Sequence, residues 1–215
     1  MFVLCVCICA FNLVYINTVN ALVASPSINP QPIVDRVNYY RLLHSSPAVV
    51  WDGRDGEITR VTKAWTENMA VNDIWDHSRY PYGENLGLAR IRNPAPTNAT
   101  SYVIDSIDMW YKEVAFYNYS RPGFSMKTGH FTQLVWRDTK RIAFSASYDT
   151  KYMKLYIAMF YHPVGNSGDR TMFSLMVKPC VIVPPAPFVK YDQIYGTPKR
   201  RSIPPMAPPL FIPSE

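Results

Sequence analysis

Apolar positions along the chain fall first at helical and then at strand spacing. Ile33, Val34, Val37, Arg41 and His44 lie at i, i+1, i+4, i+8 and i+11. That spacing predicts a first helix, entered through an extended segment with Pro26, Pro30 and Pro32 and ended by Ser45-Ser46-Pro47. Residues 48–51 are a short apolar run read as extended. Ile58, Val61, Trp65 and Met69 predict a second amphipathic helix, stopping near His77 and before Pro81 and Gly83. Residues 93–100 carry two prolines and small polar residues and read as a loop. Val103, Ile107, Trp110, Tyr111 and Val114 make the cleanest helical stripe, and residues 118–129 form a loop with Pro122, Gly123 and Gly129.

The period then changes. Residues 131–136, 142–148 and 153–162 are rich in aromatic and β-branched side chains and predict strands. Asp149-Thr150-Lys151 is the expected hairpin connection between the last two, and Pro163-Val164-Gly165-Asn166 closes the region. Residues 172–183 are read as a final strand. Helices followed by an antiparallel meander imply an α+β, layered domain.

The ends of the chain add a compartment. Residues 2–16 are apolar except for Asn12, and small residues Ala21 and Ala24 follow. The run has the length of a signal-peptide core and is short for a membrane span, so residues 1–21 are read as a leader cleaved after Ala21. No Lys or Arg precedes it, which leaves an uncleaved anchor as the alternative. Cys5, Cys7 and Cys9 would depart with the leader and leave Cys180, expected to be a buried, inert thiol rather than an intermolecular bridge. Asn98-Ala99-Thr100 and Asn118-Tyr119-Ser120 are N-glycosylation acceptors, at Asn98 and Asn118. Nine of the 19 prolines follow Val183, so residues 184–215 read as a Pro-rich, disordered tail. The formal net charge is +6, but basic residues are scattered apart from Lys199-Arg200-Arg201. That distribution excludes a nucleic-acid footprint and is compatible with an anionic membrane surface.

Spacing alone assigns no catalytic site. His77 and His130 are far apart in sequence and show no local ligand pattern. Larger segments are more telling. Gly129-His130-Phe131-Thr132-Gln133-Leu134-Val135-Trp136 matches the signature of the CAP family (cysteine-rich secretory proteins, antigen 5, pathogenesis-related proteins), and Thr139 matches the Ser/Thr that follows it. His77-Ser78 with Gly83-Glu84-Asn85-Leu86, Trp110-Tyr111-Lys112-Glu113 and Tyr161-His162-Pro163-Val164-Gly165-Asn166 match three further family segments in order. Val37-Asn38-Tyr39-Tyr40-Arg41 resembles the opening H-N-x-x-R, with Val37 in place of histidine. The resemblance covers about residues 33–166, leaving 167–183 as a C-terminal extension.

The resemblance implies a three-layer α-β-α sandwich with a central antiparallel sheet. It implies a cavity carrying His77, Glu84, Glu113 and His130, in which the two histidines can bind Zn²⁺ or another divalent cation. Glu84 or Glu113 would then be the candidate base of a metal-dependent hydrolase. Tyr117, Tyr119 and Phe124 resemble the family's proposed sterol-binding loop. The family's usual G-C-G is Ala143-Phe144-Ser145 here, and a usual cysteine is Met159, so the chain looks most like the cysteine-poor Golgi-associated and venom allergen-like branch. The expectation is a secreted, extracellular protein acting by binding, with a sterol or fatty acid as ligand or with a signalling or immune-modulating role. The alternatives are the hydrolase and a membrane-peripheral scaffold of the secretory pathway.

Overall fold

The computed structural model describes residues 23–92 and 94–181. The leader with Cys5, Cys7 and Cys9, and the tail from Pro184 with its basic cluster, lie outside the described residues. The described elements are β1 (Val23–Ala24), α1 (Pro30–Leu43), β2 (Val50–Trp51), α2 (Glu57–Asn72) and β3 (Gly83–Arg90). They continue as α3 (Thr100–Lys112), a 3₁₀ turn (Glu113–Phe116), α4 (Gly129–Leu134), β4 (Arg141–Asp149), β5 (Lys154–His162) and α5 (Arg170–Met176).

One sheet runs in the order β1-β4-β5-β3, antiparallel throughout, with β2 alongside β4 in parallel. Strand alternation divides its residues between two cores. Ile142, Phe144, Ala146 and Tyr148 of β4 join Leu155, Ile157, Met159 and Tyr161 of β5 on one face, packed with residues of α1, α3, α4 and α5. Ala143, Tyr156, Ala158 and Phe160 take the other face, against Ile58, Met69 and Ala70 of α2. The result is the expected three-layer α-β-α sandwich. Both central strands are covered on both sides, which explains why they read as nearly continuous apolar runs.

Several elements differ from the sequence reading. Pro30 and Pro32 are not an extended entry but the first turn of α1, where no intrahelical N–H bond is lost, and Asn29 Oδ1 caps the helix by accepting from the Gln31 N–H at 3.3 Å. Helix α2 ends at Asn72, short of His77, because Asp73 takes the left-handed conformation with φ 52°. Residues 83–90, not read as an element, form β3. Residues 131–136, read as a strand, belong mostly to α4, where Phe131, Leu134 and Val135 reach the core at i, i+3 and i+4. Residues 172–183, read as a final strand, overlap α5, which is capped by Asp169 and anchored by Phe173, whose ring meets Trp136 edge-on at 5.0 Å. Cys180 is exposed, not buried, because it lies past the last helix on a surface strap.

Two buried side chains hold α1 to the rest. Arg41 is 0 % exposed and forms no ion pair with a carboxylate among the described residues. Its Nε–H donates to Pro47 O at 2.8 Å, Nη1 donates to Leu134 O and Trp136 O at 3.0 and 2.9 Å, and Nη2 donates to Thr139 O at 2.9 Å. Burial pushes this guanidinium down to about 10, still charged at neutral pH. His44, also wholly buried, engages Lys178 O through Nδ1 at 2.7 Å and the Tyr111 hydroxyl through Nε2 at 3.2 Å.

Replacing Arg41 by Met would strand at least three buried carbonyls at about 1–3 kcal/mol each, so a loss above about 3 kcal/mol is expected in urea unfolding. A loss below about 1 kcal/mol would mean that water replaces the guanidinium. Burial also lowers the pKa of His44. Its neutral state therefore contributes stability that is complete above the ordinary histidine value of about 6.5 and is lost as pH falls through the lowered one. The melting temperature of the protein should fall on mild acidification, and His44→Asn should flatten that part of the profile.

Candidate functional site: two histidine–glutamate pairs at a sheet edge

The site forms at β3, the edge strand. Glu84 and Asn85 are neighbours on this strand and point to opposite faces of the sheet. Glu84 turns toward the loop after α2. Its Oε2 accepts from His77 Nδ1 at 3.1 Å and from the Ser78 backbone N–H at 2.9 Å, and its Oε1 accepts from the Ser78 hydroxyl. The carboxylate is almost fully buried while the His77 ring is 61 % exposed. The hydrogen bond to Glu84 raises the pKa of His77, against the opposing effect of burial, with the charges of Glu84 and Asp76 adding to the rise.

The second pair lies on the other side of the strand. Glu113 follows directly after α3, and its Oε1 meets His130 Nδ1 at 2.6 Å while its Oε2 accepts the Phe131 N–H at 3.1 Å. The Trp110 ring stacks on His130 at 6.0 Å, and its indole N–H donates to Leu86 O on the free edge of β3. Asn85 Nδ2 donates to His130 O at 3.1 Å and to the Tyr161 hydroxyl at 2.9 Å. His130 is thus held by its carboxylate, its backbone and its ring face.

Glycines make room for this packing. Gln133 accepts the Gly165 N–H at 3.0 Å, and a Cβ on Gly83 would fall 2.2 Å from its Oε1. Asn166 donates to Gly129 O at 2.8 Å and accepts from the Thr132 hydroxyl at 2.6 Å. These contacts tie the segment after β5 to α4, so the two signature stretches are one structural unit.

A cavity of about 300 Å³ opens between the pairs. His77, Glu84, Asn85, His130, Gln133 and Asn166 supply its polar lining, with Tyr80, Tyr82, Phe124, Met126 and Val164 at the apolar margin. Glu113 does not line it. Of the four residues expected to share the cavity, His77, Glu84 and His130 line it, and Glu113 stands behind His130. Asn85, Gln133 and Asn166 were not singled out from sequence, although each lies inside a matched segment.

The aromatic loop divides. Tyr117 is 8 % exposed and packs on Phe131 at 5.6 Å and on Tyr119 at 4.9 Å. Tyr119 is half-buried, and only Phe124 is exposed. A second groove, about 400 Å³, lies here, lined by Phe116, Tyr117, Asn118, Arg121, Phe124 and Arg170 among others. Tyr119 is absent from its wall, whereas Phe116, Arg121 and Arg170 carry no sequence signal and were missed. Phe124 lines both cavities.

The family profile described as "CAP: Cysteine-rich secretory protein family" matches residues 34–161. The chain belongs to the CAP family. Human Golgi-associated plant pathogenesis-related protein 1 is 30 % identical over 146 residues, covering 66 % of this chain and 87 % of that protein. "Repressed by EFG1 protein 1" of Candida albicans is 30 % identical over 136 residues, covering 63 % of this chain and 46 % of that protein. Venom allergen 5 of Polistes gallicus is 29 % identical over 143 residues, with 64 % and 62 % covered. The match thus spans less than two thirds of the Candida and wasp proteins. The solved structure of BmVAL-1 superposes with a TM-score of 0.54 at 16 % identity, covering 72 % of this CAP chain and 87 % of that one, and supports the fold.

Among the described residues of this CAP domain, no group of three or more His, Cys, Asp or Glu side chains is gathered so as to hold a metal ion. The donors on offer are two imidazoles, each committed through Nδ1 to its own carboxylate. That arrangement orients an imidazole for a ligand role, but zinc sites ordinarily draw on three or four protein ligands.

The raised pKa of His77 gives a direct check. The charged His77–Glu84 pair contributes its stability fully below the ordinary histidine value, and that contribution is lost as pH rises through the raised one. In an NMR titration the His77 ring should titrate above about 6.5 and return toward that value in Glu84→Gln. An unchanged midpoint in the variant would show that the pair does not form.

Proposed function

We propose that this CAP protein acts by binding an amphipathic lipid, a sterol or a fatty acid, in the groove beside the His–Glu cavity. The observation that carries the reading is the pair Phe116 and Phe124, 71 % and 56 % exposed, facing a groove of about 400 Å³ with Arg121 and Arg170 on its wall. Large apolar rings left in water gain about 25 cal/mol per Å² when covered, and here they stand over a groove whose exposed wall is more polar than apolar, a mixed lining that suits an amphipathic ligand. Arg121 and Arg170 suit a carboxylate or an otherwise polar head.

A secreted, extracellular setting fits the exposure of both acceptor residues, Asn98 and Asn118, and the wasp relative is named a venom allergen. No helix among the described residues is long and apolar enough to cross a membrane.

A second reading, metal-dependent hydrolysis, draws on the two Nδ1 contacts to carboxylates. His77 and His130 would offer their other ring nitrogens to a divalent ion such as zinc, which supplies Lewis acidity when bound, and Glu84 and Glu113 would hold the rings.

Equilibrium binding of a radiolabelled sterol and a radiolabelled fatty acid separates these readings. Saturable binding should be lost in Phe116→Ser/Phe124→Ala and kept in His77→Ala/His130→Ala. Loss only in the histidine double variant would move the ligand to the His–Glu cavity. Zinc-dependent turnover abolished by Glu84→Gln or Glu113→Gln would favour the hydrolase.

A further inference from the structure

The wall of the aromatic groove offers donors that nothing in the described fold accepts. Tyr117 is 8 % exposed, and its buried hydroxyl donates to no group among the described residues, the Gly123 N–H being what approaches its oxygen. Arg121 and Arg170 share that wall and take part in no ion pair among the described residues. Phe116 and Phe124 stand over it, 71 % and 56 % exposed. Rings beside unused donors call for an occupant that brings apolar surface and hydrogen-bond acceptors together. A proline-rich chain is such a ligand: every proline has a carbonyl and an apolar ring but no N–H, and P-x-x-P segments dock on aromatic-lined grooves.

The chain carries a P-x-x-P segment close to this wall. After α5 the strap runs back over the end of α1, where the Val181 N–H donates to Leu43 O at 2.8 Å. Cys180 on the strap lies near Tyr111 and Tyr119, and its charge adds to burial in raising the pKa of both phenols. Tyr119 packs on Tyr117 at 4.9 Å, so the strap reaches the back of the groove. Pro184-Pro185-Ala186-Pro187 begins three residues past Val181, outside the described residues. An extended chain covers about 3.3 Å per residue, so the six residues 182–187 can span about 20 Å.

We infer that residues 184–187 occupy the aromatic groove of their own chain, with the Tyr117 hydroxyl, Arg121 and Arg170 donating to their carbonyls and Phe116 and Phe124 covering their rings. So short a tether sets an effective concentration on the order of mM. A weak contact is then enough to fill the groove, and the same segment of a second copy competes poorly. The consequence for ligand binding rests on the lipid-binding reading. A sterol or fatty acid entering the groove must displace the segment, so its affinity falls in proportion to the fraction of molecules with the groove open.

The test compares NMR signals of residues 116–128, without lipid, in the full chain, in Pro184→Ser/Pro185→Ser/Pro187→Ser and in a chain ending at Val183. Both changes should shift the signals of Phe116, Tyr117 and Phe124 in the same direction. A synthetic peptide of residues 182–188, added to the shortened chain, should move them back. Tyr117→Phe in the shortened chain should weaken that peptide about fivefold, the loss of one hydrogen bond. Signals that stay unchanged in both altered chains, or that change only outside the groove, overturn the proposal. Full-chain dimers in sedimentation velocity that the triple proline variant dissolves would mean exchange between copies and also overturn it. Radiolabelled sterol and fatty-acid binding is measured on the same proteins, with affinity expected to rise about tenfold or more in the proline variant. If the groove signals shift and no chain binds either lipid, the lipid-binding reading fails and the docked segment stands. If lipid binds equally to all three chains and the signals do not move, the docked segment fails and the lipid-binding reading stands.

Discussion

The fold turns on a buried arginine whose partners are backbone carbonyls. Arg41 sits in α1, and it gathers carbonyls from Pro47 after the helix and from Leu134, Trp136 and Thr139 at the end of α4 and the turn beyond. The end of a helix leaves its last carbonyls without intrahelical donors, and a six-residue helix has few of its own bonds with which to hold its shape. A five-donor planar group supplies what that end lacks. Asn38, three residues earlier on α1, exchanges two hydrogen bonds with Val49 at 2.8 and 2.9 Å and places the chain entering β2. The Asn38–Arg41 pair of the opening motif is thus a structural clasp. His130 and Gln133, which face the cavity, ride on the helix that this clasp fixes.

That dependence explains how residues distant in sequence form a site. The sheet supplies Glu84 and Asn85 on opposite faces of one strand, so the two histidines that pair around it must come from different layers. His77 arrives from the loop after α2, and His130 from α4. Each histidine is oriented by its own carboxylate, and each carboxylate also accepts a backbone N–H, Ser78 for Glu84 and Phe131 for Glu113. The carboxylates therefore hold loop and helix in place as well as the imidazoles. Each pair thus satisfies one imidazole nitrogen and its carboxylate, as partly buried polar groups require, and leaves the other ring nitrogen toward the cavity uncommitted.

The legible parts of the sequence were those where the hydrophobic period is long or the residue types are uncommon. The stripe of α3 and the apolar runs of β4 and β5 reported their elements, and the motif segments carried His77, Glu84, Glu113 and His130 to the site. The failures share physical causes. β3 runs Gly83-Glu84-Asn85-Leu86-Gly87, nearly without β-branched residues, because glycine is needed where Gln133 and Ser106 approach. The Phe131-Thr132 and Val135-Trp136 pairs of the α4 region have strand-like propensity, overridden by the tertiary contacts of Arg41 and Glu113. Asp73 ended α2 through a backbone conformation that no periodicity reports. That Glu113 stands behind His130, and that Arg170 joins the 116–128 loop, are matters of packing between remote segments and leave no local signal.

Phe124 links the two cavities. Its ring lies over Gly129, where a Cβ would come within 2.9 Å of Cε2, so the first residue of α4 must be small for the ring to sit there. On one side is the polar His–Glu cavity; on the other is the groove with Phe116, Arg121 and Arg170. The two compartments differ in chemistry yet share a wall that is attached to the protein by one loop. A ligand that displaced Phe124 from Gly129 would alter the packing at the start of α4, next to His130, and occupancy of the cavity would in turn restrict where the ring can go. Coupling of this kind needs only that the two sites favour different positions of one side chain. The CAP signature glycine Gly129 is therefore placed where the aromatic groove and the histidine-bearing cavity meet, and its lack of a side chain is what allows them to be adjacent.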